Sequence, residues 1–168
     1  MRTIPMLASL AVSVLLMACP LMSRAASDRF SGDWSVQWCD ASDTQAECGG
    51  FFITLVQRGE RLCGSYDGAR VRVSQVDEGD PLAIRGVVTG KTAVLTIESQ
   101  RSGAIYLVRA VARGDTLHWQ VMDTVKPMQR DIDIIALDDT LTRAASAEPS
   151  ERSTQVVDAC HRAMTLQD

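Results

Sequence analysis

The sequence predicts an all-β fold: an antiparallel up-and-down barrel of about eight strands with a short C-terminal helix. Three observations predict it. Residues 51–124 read as short apolar runs broken by glycine turns, at the spacing of a meander. Several of these runs alternate apolar and polar residues with a period of two. A helical pattern emerges only at 153–164. Closure into a barrel would also remove the sheet edges that invite aggregation.

The first strand is expected over 30–38, within RFSGDWSVQW, where Trp34, Val36 and Trp38 alternate with Asp33, Ser35 and Gln37. Aromatics at that point suit the core and can plug a closed barrel end. Gly49-Gly50 admits a second strand, 51–57, which is apolar on both faces and therefore expected to be covered on both sides. Arg58-Gly59-Glu60 turns the chain into a third strand over 61–67. Residues 70–76 (RVRVSQV) alternate with arginines outward, and Asp77-Glu78-Gly79-Asp80-Pro81 reads as a solvated acidic loop without calcium-ligand spacing. Strands over 82–88 and 92–99 form a hairpin about Thr89-Gly90. Strands over 104–112 and 116–124 form another about Arg113-Gly114-Asp115. Residues 131–137 (DIDIIAL) suggest an added edge strand. The domain organisation is then an export segment over 1–25, a barrel over 26–137, and a polar linker with a short helix over 138–168.

Residues 1–25 carry Arg2, an apolar run over 6–19 and small residues Ser23 and Ala25 placed for cleavage before Ala26. Leu16-Met17-Ala18-Cys19 offers a second reading, in which Cys19 is lipidated, although Pro20 follows it directly. The expected location is the bacterial periplasm or the exterior, with an outer-membrane lipoprotein as the alternative. Membrane association is expected only if Cys19 carries lipid.

Removing 25 of 168 residues leaves 143, with 15 basic and 21 acidic side chains and a net charge of −6. That balance disfavours nucleic acid and anionic membranes. The remaining cysteines, Cys39, Cys48, Cys63 and Cys160, suggest two disulfides in an exported domain. Cys39 and Cys48 bracket one polar loop and are expected to pair, which leaves Cys63 with Cys160. Neither CxxC spacing nor a histidine near the first three cysteines supports a metal site.

Gly32-Asp33-Trp34 resembles the Gly-x-Trp signature of calycin-like barrels, the lipocalin-like and avidin-like group. Gly64-Ser65-Tyr66 and Trp119 are similar to strand residues of the avidin group. The resemblance implies the barrel, not biotin binding. Ser102-Gly103-Ala104-Ile105-Tyr106 resembles the Ser-Gly-x-x-Tyr loop of the periplasmic and membrane-bound inhibitors of C-type lysozyme. That resemblance implies a partner-binding turn carried by Ser102, Gly103 and Tyr106, with Ser102 protruding into the partner's cleft. Arg113 would stand where that family has a lysine, but a meander puts it at the opposite strand end.

No catalytic set is expected. His118 sits between Leu117 and Trp119 and should point away from their face, and His161 lies in the tail. The pairs Asp131 with Asp133, and Asp138 with Asp139, lack the cleft that carboxylate catalysis needs. The chain is expected not to be an enzyme and to use no cofactor. Its expected role is an exported protein-binding module, such as an inhibitor or immunity protein against a cell-wall hydrolase, with a periplasmic or secreted protein as partner. The alternatives are a barrel for a small apolar ligand and a structural envelope protein.

Overall fold

A computed structural model describes residues 28–39, 41–42, 48–70, 75–130, 132–145 and 149–166. The export segment, Cys19, most of the loop after Cys39 and part of the expected 70–76 strand lie outside those residues. Nine strands are described: β1 (Gly32–Trp38), β2 (Gly49–Arg58), β3 (Arg61–Arg70), β4 (Gln75–Glu78), β5 (Ile84–Thr89), β6 (Thr92–Glu98), β7 (Ile105–Arg113), β8 (Thr116–Lys126) and β9 (Asp138–Arg143). One helix, α1 (Glu151–Thr165), follows.

Every strand pairing is antiparallel. The order β2-β1-β9-β8-β7-β6-β5-β3 closes through a further β2–β3 pairing, so eight strands make the barrel. β4 stands outside it, paired with the upper half of β3. Short glycine hairpins pair β2 with β3 and run β5, β6, β7 and β8 in sequence order.

Two sequence expectations are corrected at the closure. Residues 138–143, read as linker, are the closing strand β9, bonded to both β8 and β1. Residues 131–137, read as an edge strand, carry no strand among their described positions. Instead Ile134, Ile135 and Ala136 are buried and form an apolar lid on the barrel's upper end. The Trp119 indole N–H donates to the Ala136 carbonyl at 2.9 Å. Gly68 admits the lid, because a Cβ there would lie 2.2 Å from the Ile134 carbonyl oxygen.

Alternation works as expected on the inner wall. Trp34, Phe51, Tyr66 and Trp119 are almost wholly buried there, and the Phe51 ring centroid lies 5.8 Å from Tyr66 and 5.6 Å from Trp119. Phe30, in the turn before β1, fills the lower end. Its carbonyl accepts the Trp34 indole N–H at 2.9 Å.

The second face of β2 is covered too, as its composition predicts. Ser150 caps α1 by accepting from the Ser153 N–H. The helix then lays Val156, Cys160 and Met164 on Val56 and Cys63 of the outer wall. Cys63–Cys160 bonds the helix to the barrel, and Cys39–Cys48 closes the loop after β1. Both pairings agree with the sequence reading. Two such bonds suit an oxidising, extracytoplasmic environment. No described helix is long and apolar enough to cross a membrane.

Candidate functional site

The turn between β6 and β7 is built inward, not outward. The Gly103 N–H donates to the Ser99 carbonyl at 2.9 Å, and Gly103 takes a φ of +72°. Beneath the turn lies Asp77, 1% exposed. One carboxylate oxygen accepts the Tyr66 hydroxyl at 2.8 Å and the Arg101 N–H at 3.1 Å. The other accepts the Ser99 hydroxyl at 2.6 Å. The Gln100 N–H donates to the Tyr66 oxygen at 3.1 Å. A buried carboxylate needs such a full set of donors. Asp77 is thus a buried anchor, and the reading of 77–81 as a solvated loop is corrected at that residue.

Ser102 is corrected as well. It was expected to protrude, yet it is fully buried. Its N–H donates to the Ser99 hydroxyl at 3.0 Å, and its hydroxyl accepts the Ala104 N–H at 3.2 Å. A hydroxyl committed to its own turn is not presented to a partner. Tyr106 lies one strand step inward and is also buried. Its hydroxyl donates to the Asp133 carboxylate. Burial, and then the bond to Asp77, pushes the Tyr66 phenol well up from its ordinary value. Burial and Asp133 do the same for Tyr106.

The exposed surface at this end comes from residues that sequence reasoning passed over. At the upper end of β8, residues 122–125 are exposed on both faces, so the ribbon stands clear of the barrel. Met122, Val125, Met128 and Leu137 are each more than half exposed, and Ile132 is exposed too. The Gln129 N–H donates to the Ser102 carbonyl at 3.0 Å, which fixes this rim beside the turn. The Val121 N–H donates to the Leu137 carbonyl at 2.7 Å and holds Leu137 beside the upper end of β8. Lys126 and Arg130 add positive charge, and Asp123 and Asp133 add negative charge. The sequence signal is the run of large apolar residues in VKPMQRDIDII, whose DIDI alternation reads as an edge strand.

Other candidates are dispersed. Ser102 and Arg113 lie at opposite ends of the nine-residue β7, roughly 30 Å apart at the usual strand rise. Asp138 and Asp139 point to opposite faces: Asp138 approaches His118 at 3.7 Å, while Asp139 accepts the Trp38 indole N–H at 3.2 Å. His118 points outward, as expected, and His161 is exposed on α1. Among the described residues, no group of three or more His, Cys, Asp or Glu side chains could hold a metal ion.

These features define a closed, side-chain-filled, disulfide-bonded barrel with a covering helix and an apolar rim. Comparison with protein-family profiles, curated proteins and solved structures found no match for the chain.

Proposed function

We propose that this is an exported envelope protein whose barrel serves as a protein-binding module. The rim formed by the 100–103 turn and residues 122–137 is its docking surface. The observation that carries this reading is the exposure of Met122, Val125, Met128, Ile132 and Leu137 on segments bonded to β8 and to the 99–103 turn. An exposed apolar patch ringed by polar side chains is a signature of association, and methionines adapt to a partner's contour. Lys126 and Arg130 lie in the same segment as Asp123 and Asp133, so the rim carries charge of both signs around its apolar residues. The partner class we propose is a cell-wall hydrolase, with the protein acting as inhibitor or immunity factor. The lysozyme-inhibitor resemblance around Ser102 supports the same end of the barrel. With Ser102 turned inward, the contact passes to Gln100, Arg101 and the 125–132 segment.

The competing reading, an apolar ligand inside the barrel, has Trp34, Phe51, Tyr66 and Trp119 packed where the ligand would sit. An inhibition titration against C-type lysozyme and bacterial peptidoglycan hydrolases tests the proposal. The protein should inhibit at least one of them, and Met128→Asp should weaken inhibition about tenfold or more. Failure to inhibit any would remove the hydrolase as partner. Full inhibition by Met128→Asp and by Ile132→Asp would move the site off the rim.

A further inference from the structure

The two disulfides differ in the access they give to a third thiol. Cys63 is 5% exposed and Cys160 0%, and both lie among Val56, Val156 and Met164 where α1 packs on the outer wall. Cys39 and Cys48 are both exposed. The register of β1 and β2 pairs Gln37 with Gly50 and Trp38 with Gly49, so Cys39 and Cys48 face each other one step beyond the last pair. Their Cα atoms are 4.4 Å apart, the spacing of opposed residues that exchange no backbone hydrogen bonds in an antiparallel ladder. Cys48 also lines a groove of about 440 Å³ on the outer wall, with Gln37, Gly50, Phe52 and Ala69, and Cys39 is not part of that lining.

The two strand ends do not depend on the bond to stay together. Backbone pairing joins β1 to β2 along the whole of Gly32–Trp38. The Trp38 indole N–H donates to Asp139 at 3.2 Å, and its ring is stacked 6.3 Å from the Phe51 centroid. The ladder therefore holds both cysteines opposite each other whether or not their sulfurs are bonded. The buried pair is different, because a thiol can reach it only when α1 lifts from the wall.

We propose that Cys39–Cys48 is a reversible thiol–disulfide exchange site, reduced in the folded protein by a dithiol, while Cys63–Cys160 stays closed. Exchange rates depend on access to the attacked sulfur, and exposed disulfides are the labile ones. One thiolate of the dithiol attacks Cys48 Sγ from the groove side. A sulfur–sulfur bond forms there, the Cys39–Cys48 bond breaks, and Cys39 leaves as a thiolate that takes up a proton. The second thiolate of the dithiol then attacks its own bound sulfur and releases Cys48, which is protonated in turn. The dithiol is oxidised to a disulfide and the cysteine pair is reduced to two thiols, so atoms and electrons balance. The site does not depend on the rim proposed to dock a protein.

Treatment of the full chain, both disulfides formed, with dithiothreitol tests this when samples are quenched with iodoacetamide and mapped as peptides. Cys39 and Cys48 should be labelled about tenfold faster than Cys63 and Cys160, or more. Urea below the unfolding range should leave the first rate unchanged and raise the second, because only the buried pair needs an opening of the structure. Circular dichroism should retain the β signal after the first bond is reduced. A short exposure to 2-mercaptoethanol, quenched with acid, should place the mixed disulfide on Cys48. Replacing the reductant with glutathione disulfide should restore Cys39–Cys48. Equal rates for the two pairs, a first rate that climbs with urea, loss of the β signal on reduction, a mixed disulfide on Cys39, or failure of the bond to re-form would each overturn the proposal.

Discussion

The guanidinium of Arg143 lies over the indole of Trp34, 4.0 Å from the ring centroid. The same side chain donates to the carbonyls of Ser31 at 2.6 Å and Arg29 at 3.0 Å. It approaches Asp115 at 3.6 Å. One residue of the closing strand thus ties the first strand, the turn before it and the β7–β8 hairpin together at the lower end. Gly32 is explained by the same contact. It takes a φ of +119°, and a Cβ there would lie 2.6 Å from Arg143 Nη1. The Gly-x-Trp pattern of the first strand is therefore the footprint of an arginine more than a hundred residues away in sequence.

Arg143→Ala should destabilise the barrel by about 2–3 kcal/mol, from lost cation–π contact and charge-assisted hydrogen bonds. Arg143→Lys should recover only part of this, because an ammonium cannot stack and fork at once. Urea denaturation of the three proteins checks both. A loss below about 0.5 kcal/mol for the alanine variant would show that the contact is dispensable.

The two tyrosines of the chain, Tyr66 and Tyr106, should resist ionisation in the native state. Both phenols are raised by burial and by donating to a carboxylate. The unfolded phenols titrate near pH 10. Below that pH their contribution to stability is complete. Above it the unfolded chain releases protons that the native chain retains, so stability falls as pH rises. Absorbance at alkaline pH should show phenolate appearing together with loss of the β signal in circular dichroism. Phenolate formed near pH 10 with the fold intact would contradict the burial argument.

Asp67 faces Arg152 of α1 at 2.8 Å, yet its carboxyl lies above the ordinary aspartate value. Desolvation outweighs the attraction of Arg152. The native state holds this proton more tightly than the unfolded chain does. The contribution of Asp67 is therefore most favourable at low pH and is lost as pH rises through its native pKa. Arg152→Gln should push that pKa higher still, because the opposing charge is gone. Carboxyl ¹³C NMR titration of both proteins decides the matter, and a fall in the variant would reverse the assignment.

The two disulfides should contribute unequally. Cys63 and Cys160 are 97 residues apart, Cys39 and Cys48 only 9. Chain entropy assigns about 4–5 kcal/mol to the longer loop and about 2–3 kcal/mol to the shorter. The pair Cys63→Ala and Cys160→Ala should lower the urea midpoint more than the pair Cys39→Ala and Cys48→Ala. An equal or reversed order would mean that the α1 contacts hold the helix without the bond.

Much of the barrel is legible in the sequence, because alternation and glycine turns are local properties of the chain. Trp34, Ile53, Leu95, Val108 and Trp119 point inward because a strand alternates its side chains, whatever the strand pairs with. Cysteine spacing and the helical pattern of 153–164 are local in the same sense. Closure is not local. β9 reads DDTLTR, with one apolar residue, because its ends meet polar demands: Asp139 accepts from Trp38 and Arg143 covers Trp34. Neither demand can be seen without the partner strand. The candidate site was legible only as a place. The Ser-Gly turn was found, but the side of the turn on which Ser102 lies depends on Asp77, which approaches from β4 and draws the turn inward. The alternation in DIDIIAL does not tell which residues the barrel covers, so only the tertiary structure separates buried Ile134 from exposed Ile132 and Met128. The sequence by itself determined β1 to β3, β5 to β8, the turns between them and the cysteine pairs; the tertiary structure decided the closing strand, which polar groups close the barrel and which apolar groups stay outside it, because these depend on contacts between residues far apart in the chain.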